Sequence, residues 1–489
     1  MPMEHELDVL CRSLTLHDET SDQDIYSRAL SASRGSCTEQ EASQALETLL
    51  GADDGKNVAH RDKVVGSLLS QSAGQKALSK MMTANPTGTF HNLWHLEGET
   101  MQGLTRTCLS PAIWTSDSDR LKCVKDTFTL CLAMLLEPDA GYKTEFSMKT
   151  IASLMALHAT ELVSYIDADN LAIILSFLDI AEPIRLRSQA TLVTAKFLEA
   201  AKGRGQSMLK LYVTSRIAKH TNDDIVAGFS VAAAMFPITP DVASALFLTP
   251  GFMDDLARVI RKSTSSRLRH SALELLSAAC INKECRGAIR TSCTLWLQDV
   301  VRNKPSDKDV AMAALVMSKV RQETGEGKIE DMTPLFKEII KSPGNIEFEA
   351  AVEGLAYSST RPEIKEDLAT DAILLRHVMQ ALEAPAYQGP LVFGGLTIFS
   401  NLTTYPPEIS AEQKRMAQLK AYANQSKLAE PSPLDNTSHV TSRAKKILDA
   451  GIVPLLVKVA KTASPILLNL IASIALNLTK ERKHCGKLL

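Results

Sequence analysis

Apolar and small residues recur along this chain in an eight-residue pattern that suits one face of a helix. The pattern has a small or apolar anchor, large apolar residues after it, and a polar or small residue near its end. It is clearest in Ala272–Ala279, Ala351–Ser358, Gly395–Leu402 and Ile471–Leu478. Each segment is therefore predicted to be a helix, and the small anchors would let neighbouring helices approach closely.

The pattern returns at a regular distance along the chain. With three weaker copies, the anchors lie at residues 190, 228, 272, 311, 351, 395 and 471, so the intervals are 38, 44, 39, 40, 44 and 76 residues. An interval near 40 residues is the length of an armadillo or HEAT repeat, and the last interval is close to two such lengths. The predicted fold is all-α, an armadillo/HEAT-like right-handed superhelical solenoid.

The strength of the repeat signal divides the chain into three regions. Before Ala190 the period fades, and the earliest part is typical of amphipathic helices without a common register. We expect an N-terminal helical region over residues 1–110, a central armadillo-like region over 111–335 and a further armadillo region over 336–489.

The long last interval contains a polar, proline-rich segment, Leu428–Ser438, which is predicted to be a flexible loop. The repeat that follows is the most complete in the chain. Gly451 precedes its second helix, and Ser464 and Pro465 begin its third helix, where the missing N–H of proline costs nothing.

Composition narrows the function classes. The 489 residues are 45% apolar, and 54 Lys and Arg residues face 56 Asp and Glu residues, which gives a net charge of −2. This composition excludes disorder throughout the chain, and the lack of basic surplus disfavours nucleic-acid binding, so proteins are the expected partners. Nine scattered cysteines, the absence of a leader sequence and the absence of a membrane-length apolar run predict a cytoplasmic protein with reduced thiols and no membrane contact.

Candidate catalytic or metal chemistry is sparse. His91 and His95 lie four residues apart, with Glu97 and Glu99 after them, as a helical metal site would require. There is no His-Glu-x-x-His motif, and Leu93 and Trp94 favour a helix packing face instead. We find no nucleotide, hydrolase or kinase motif, so the chain is predicted to be a non-enzyme without metal or cofactor.

The seventh position of the repeated pattern carries the most functional information. In armadillo proteins it faces the concave groove, where an asparagine can bond the backbone of an extended peptide through both its donor and its acceptor. The copies carry there Lys196, Ala234, Ala278, Met317, Tyr357, Asn401 and Asn477. Apart from Lys196, polar groups occur only from Tyr357 onward, so we expect a client groove toward the C-terminal end.

Several segments of the C-terminal third go beyond a general armadillo pattern. They are Glu353–Ser359, Gly394–Tyr405, Glu412–Ala423, His439–Arg443 and Asp449–Leu456. Together they resemble the UCS family of myosin-directed chaperones, particularly its fungal branch. About residues 340–489 carry this specific resemblance, and residues 120–330 resemble the central armadillo region of the family more diffusely.

The resemblance implies an all-helical protein that binds the myosin motor domain, assists its folding or protects it, and often cooperates with the ninety-kilodalton heat-shock chaperone, Hsp90. No tetratricopeptide-like pattern occurs near the N-terminus, so the module with which animal relatives dock Hsp90 is expected to be absent. Family members continue through several repeats beyond the point where this chain stops. The myosin groove is therefore expected to be incomplete at its C-terminal end.

If the chain binds a myosin client as the resemblance implies, five residues are the candidates for contacting it: Tyr357, Asn401, Tyr405, Arg443 and Asn477. The alternative function is a non-enzymatic armadillo adaptor or scaffold that binds extended protein segments. Import receptors of that kind place a tryptophan four residues before each groove asparagine. Thr397 and Ser473 stand there in this chain, which weakens the adaptor alternative.

Overall fold

A computed structural model describes most of the chain and divides it into two compact units. The described residues are 37–51, 58–96, 98–136, 143–321, 330–342, 347–383, 389–406, 412, 415–416 and 432–481. One unit extends up to Ala234 and the other begins at Met235. All regular structure in the described ranges is helical, which confirms the all-α prediction. Within them no helix has both the length and the hydropathy that crossing a membrane would demand.

The first unit is built from helices of nine to twenty residues and two short 3-10 turns, Pro111–Ile113 and Val163–Tyr165. Its helices are α1 (Glu39–Gly51), α2 (Val58–Ser70), α3 (Ser72–Ala84), α4 (Pro86–Trp94), α5 (Gly98–Leu109), α6 (Asp117–Met134), α7 (Lys143–Leu162), α8 (Ala168–Ser176), α9 (Ile184–Ala201), α10 (Gly203–Ala218) and α11 (Asn222–Ile238), within which the division between the units falls.

The second unit has the same helical character and one 3-10 turn, Pro433–Asp435. Its helices are α12 (Pro240–Phe247), α13 (Phe252–Lys262), α14 (Ser266–Ala279), α15 (Lys283–Asn303), α16 (Asp307–Arg321), α17 (Thr333–Lys341), α18 (Phe348–Ser358), α19 (Pro362–Thr370), α20 (Ala372–Glu383), α21 (Pro390–Thr403), α22 (Thr437–Asp449), α23 (Ile452–Ala460) and α24 (Pro465–Thr479).

The predicted repeats of the second unit form one stacked layer of helices. The anchors Ala272, Ala351, Gly395 and Ile471 lie on α14, α18, α21 and α24, and the weaker anchor Ala311 lies on α16. Each of α14, α16, α18, α21 and α24 packs against the next, while α17, α20 and α23 form a second series. The sequence period therefore marks helices that stack in order, as repeat proteins require.

The start signals predicted for the final repeat are confirmed. Gly451 has φ of +96°, a left-handed conformation that glycine adopts without strain, and α23 begins at the next residue. The Ser464 side chain accepts a hydrogen bond from the backbone N–H of Leu467, and Pro465 occupies the first turn of α24. Local sequence is thus sufficient to set both helix starts.

Stacking also continues into the part of the first unit where the sequence period fades. Helices α2, α5, α7 and α9 contact one another in series. Asp62 on α2 accepts hydrogen bonds from the backbone N–H groups of Thr100, at 2.8 Å, and Glu99, at 3.0 Å. A carboxylate of one helix thus satisfies the free N–H groups at the start of the next, where the helix dipole also favours negative charge.

The proline-rich segment predicted as a flexible loop is ordered in its described part, residues 432–438. Ser432 caps the 3-10 turn and Asn436 caps α22 through the N–H of His439. Asp435 accepts a hydrogen bond from Lys365 at 2.9 Å. Side-chain caps and an ion pair, which composition does not reveal, hold this segment in place, while residues 428–431 lie outside the described residues.

Buried polar groups also join neighbouring helices of the stacked layer. Asp309 on α16 accepts hydrogen bonds from Arg269, at 2.8 Å, and lies 3.3 Å from the ring of His270, both on α14. Burial alone would raise the pKa of Asp309, but the hydrogen bonds from His270 and Arg269 outweigh burial and lower it.

The described cysteines are all free thiols, mostly buried, as predicted.

Close approach of helices in the second unit depends on glycine. Gly354 on α18 packs directly against the ring of Phe336 on α17, and a methyl group at Gly354 would overlap that ring. The Phe336 side chain is fully buried, so it has little room to move. Gly287 on α15, by contrast, has open space where a methyl group would lie.

We expect Gly354→Ala to lower the free energy of unfolding by about 1–2 kcal/mol, because the strain of overpacking exceeds the gain in helix propensity. Gly287→Ala is the matched control and should raise it by about 0.5–1 kcal/mol. Urea denaturation of both variants measures the two effects. Equal stability of Gly354→Ala and the parent chain would contradict the tight contact.

Candidate binding cleft in the second unit

A cleft of about 400 Å³ lies between the consecutive layer helices α18 and α21. Its walls are Glu349, Glu353, Ala356, Tyr357 and Thr360 on one side and Pro390, Phe393, Gly394, Thr397 and Asn401 on the other. Two of the residues predicted from the seventh repeat position, Tyr357 and Asn401, therefore line one cavity. The volume is within the range of small-ligand sites in proteins.

The absence of a side chain at Gly394 shapes the floor of this cleft. A Cβ atom there would lie 3.3 Å from Val352 Cγ1 and 3.8 Å from the Cα atom of Glu353. Helix α21 therefore comes close to the backbone of α18 at this point. The longer side chains beside the contact, including the half-exposed ring of Phe393, stand as walls around it.

Asn401 has a structural role as well as a place in the cleft. Its Nδ2 donates hydrogen bonds to the carbonyl oxygen of Ala356, at 3.3 Å, and to Ser359 Oγ, at 2.9 Å. The side chain thus ties the C-terminal end of α21 to the C-terminal end of α18. Its Oδ1 accepts no hydrogen bond from another described residue, so only the acceptor is available to a ligand.

Tyr357 lies against a nearly buried cation. The Nζ of Lys319 on α16 is 5.5 Å from the centre of the Tyr357 ring, 2.7 Å from Glu353 Oε1 and 3.0 Å from Ser277 Oγ. The lysine side chain is only 9% exposed. Its charge is therefore neutralised by Glu353 on α18, Ser277 on α14 accepts a hydrogen bond from it, and it lies over the ring of Tyr357.

Glu349 occupies the same face of α18 but forms no ion pair with a described residue. Burial and the neighbouring carboxylate of Glu353 raise the pKa of Glu349. Lys319 does not pair with Glu349, because it contacts Glu353 instead.

Tyr405 and Asn477 lie away from the cleft, near the last helices. The Tyr405 hydroxyl is 3.2 Å from Thr441 Oγ1 on α22, and Lys480 Nζ lies 4.7 Å from the centre of its ring. Asn477 is half-buried on α24, which packs against α21, and makes no hydrogen bond to another described residue. The structure therefore brings Tyr357 and Asn401 together and leaves Tyr405 and Asn477 as separate positions along the unit.

Arg443 requires a correction, because its side chain is fully buried. The guanidinium donates to the carbonyl oxygens of Leu402, at 3.1 Å, and Leu434, at 2.7 Å, and to the carboxylates of Glu366, at 2.7 Å, and Asp435, at 3.2 Å. These four partners use the donors of a buried charge, as burial demands. Arg443 holds the scaffold together and has no surface for a client.

The seventh repeat position does not face solvent in every copy. Met317 on α16 is only 1% exposed, whereas Lys196 on α9 forms an ion pair with Glu199 at 2.7 Å. The prediction from this position therefore identified two lining residues but missed Lys319, Glu349, Glu353 and Phe393. A signal for part of this set exists, since Glu349, Glu353 and Tyr357 are spaced by four residues and share one helix face.

The pair predicted to pack rather than bind metal, His91 and His95, lies on and just after α4, with ring centres 4.9 Å apart. Among the described residues, no group of three or more potential ligands could hold a metal ion. Glu97 of the hypothetical ligand set lies outside the described residues.

Comparisons with known proteins agree with this architecture. Residues 144–342 match the model of a family described as "UNC45-central: Myosin-binding striated muscle assembly central". This stretch of the chain is therefore similar to the central region of that family. The matched range covers most of residues 120–330, where the resemblance is weaker, and ends before the motifs of the C-terminal third.

Relatives with solved structures show the same fold at low identity. She4p is 16% identical, with a TM-score of 0.62, and the match covers 99% of this chain and 61% of that one. UNC-45 from C. elegans, a myosin chaperone in complex with an Hsp70 peptide, is 15% identical with a TM-score of 0.59 over 99% of this chain and 60% of its own. Together with the stacked helices, these likenesses confirm the armadillo-like fold class.

One curated relative matches by sequence. Ring assembly protein 3 of Schizosaccharomyces pombe is 24% identical over 233 residues, which is 47% of this chain and 28% of that protein. The chain thus spans less than two thirds of the length of She4p and of UNC-45 from C. elegans, and its match to the yeast protein is shorter still.

The buried contacts of Arg443 give a stability prediction for this chain. We expect Arg443→Met to lower the free energy of unfolding by about 3 kcal/mol, since it removes a buried donor from two carboxylates and two carbonyl groups. Arg376→Met, at an exposed position on α20, should change it by less than about 0.5 kcal/mol. Urea denaturation measures both. A mild effect at Arg443 would argue for a surface role.

Proposed function

We propose that this chain binds the myosin motor domain through the face formed by α18, α21 and α24 and assists its folding or protects it. The observation that carries the proposal is the cleft between α18 and α21, where the Tyr357 hydroxyl and Asn401 Oδ1 make no hydrogen bond to another described residue. The match of residues 144–342 to a family described as myosin-binding supports the same partner.

The proposal includes Hsp90 as a cooperating chaperone. UNC-45 from C. elegans has been solved in complex with an Hsp90 peptide, at 14% identity and a TM-score of 0.57 to this chain. We further propose that the protein acts in the cytoplasm, without enzymatic activity or cofactor, and that residues 1–110, 111–335 and 336–489 are its functional regions. Nucleic acid and membranes are not among the proposed partners.

A chaperone and a passive adaptor differ in what they do to the client. If the proposal holds, the full chain suppresses heat-induced aggregation of a myosin motor domain at near-stoichiometric ratio. An adaptor binds a native segment without protecting the fold. Light scattering of the motor domain, with and without the chain, separates the two functions, and binding without protection would favour the adaptor.

The contacts in the cleft determine which substitutions test binding cleanly. Tyr357→Phe keeps the ring over Lys319 but removes the hydroxyl, and Asn477→Ala removes an amide that holds no described partner. We expect the double variant to bind the motor domain about tenfold more weakly, because two hydrogen bonds contribute about 1–3 kcal/mol together. Its melting temperature should match that of the parent chain. Calorimetric titration and a thermal melt measure these two quantities.

Asn401→Ala should differ from that double variant in a recognisable way. It removes the two hydrogen bonds to Ala356 and Ser359, so the free energy of unfolding should fall by about 1–2 kcal/mol as motor-domain binding weakens. Ala278→Ser, at the equivalent position of α14, is the control and should alter neither quantity. Full affinity of the Tyr357→Phe, Asn477→Ala variant would show that these residues only fill their helices.

A further inference from the structure

The two ends of the cleft between α18 and α21 differ in chemistry. Because Asn401 joins the C-terminal ends of the two helices, the helices run side by side in the same direction. Glu349 and Glu353 therefore lie toward the N-terminal end together with Phe393. The hydroxyl and amide groups lie toward the other end. We call the first end, formed by Glu349, Glu353 and Phe393, the acidic end.

The charge at the acidic end is not balanced. Glu353 is paired with Lys319, at 2.7 Å, and that lysine is almost buried behind it. Glu349 has no ion-pair partner among the described residues. Burial and the negative charge of Glu353 raise the pKa of Glu349. One uncompensated carboxylate thus remains at the rim of a partly apolar cavity.

The wall opposite this carboxylate is aromatic. Phe393 is 47% exposed, although large apolar side chains on this layer are mostly buried. Lysine and arginine cover apolar surface with their methylene stems, and their charged groups interact favourably with ring faces and carboxylates. The combination of Glu349 and Phe393 in one cleft is therefore complementary to a long side chain that ends in a positive charge.

We propose that the acidic end binds a basic side chain, arginine or lysine, presented by an extended protein segment. Glu349 is the ion-pair partner, Phe393 is the surface for the stem, and the N–H groups of the segment donate to acceptors further along the cleft, including Asn401 Oδ1. This inference rests on the proposed function, since it specifies what part of a client the cleft recognises.

The test uses the full chain and defined peptides. An alanine and serine peptide of eight residues with a central arginine is compared with the same peptide carrying citrulline, which has nearly the same shape but no charge. Methyl NMR signals of Ala356, Thr360 and Thr397 report on the cleft. We expect the arginine peptide, and a lysine analogue, to shift these signals with at least about fivefold higher affinity than the citrulline peptide.

Variants assign the effect to the carboxylate. Glu349→Gln should weaken the arginine peptide about five- to tenfold and leave the citrulline peptide unchanged. Glu338→Gln on α17 makes the same charge change at an exposed position outside the cleft and should have no effect. Phe393→Ala should weaken both peptides. Equal affinities for arginine and citrulline, or an unaffected Glu349→Gln variant, would overturn the inference.

A parallel titration with a myosin motor domain separates this inference from the function on which it rests. If arginine peptides bind the acidic end but no motor domain binds, the inference stands and the proposed client is wrong. If the motor domain binds the parent chain and Glu349→Gln equally well while the peptides show no charge preference, the function stands and the inference fails.

Discussion

The buried guanidinium of Arg443 is the constraint on which the second unit depends. A fully desolvated positive charge is tolerated only where hydrogen bonds replace water, and here the donors reach the end of α21, the 3-10 turn and α19 together. The partners Leu402 and Leu434 lie far apart in the sequence, so one side chain joins both segments. Since α21 is one wall of the cleft, the geometry of the cleft depends on this charge.

Close helix approach is the second condition for the cleft. Gly354 lets α17 pack against α18, and Gly394 lets α21 come near the backbone of α18. A Cβ atom at Gly394 would lie 3.3 Å from Val352 Cγ1, so that side chain would have to give way by a few tenths of an ångström. The cleft is therefore the space that remains beside a contact without side chains, and its walls are the residues one turn away.

The stacked layer could be predicted from sequence because a helix face and a repeat length are local patterns, visible in residues such as Ala272 and Ile471. Contacts between distant residues leave no such pattern. Asp62 caps a helix start 38 residues later, at Thr100, in a region whose period is too weak to see. Arg443 belongs to a family-like motif and was expected at the surface, but its burial depends on Glu366, which lies 77 residues earlier. The position within the repeat is sufficient to predict that Tyr357 and Asn401 line the cleft. It does not predict the contact of Lys319 with Tyr357, because Lys319 lies on another helix.

The amide nitrogen and the amide oxygen of Asn401 have different roles, and this difference determines which ligand groups the cleft can bind. The two N–H groups of Asn401 serve the scaffold, so the side chain presents only an acceptor to a ligand. Glu349 is likewise an acceptor, and the described cation beside the cleft, Lys319, is paired with Glu353. A surface rich in acceptors selects for donors, and an extended polypeptide supplies them as backbone N–H groups and basic side chains. A folded anionic surface would be repelled by these acceptors. The preference for donors therefore depends on two facts: the N–H groups of Asn401 and the charge of Lys319 already have partners in the scaffold, and the acceptor oxygens do not.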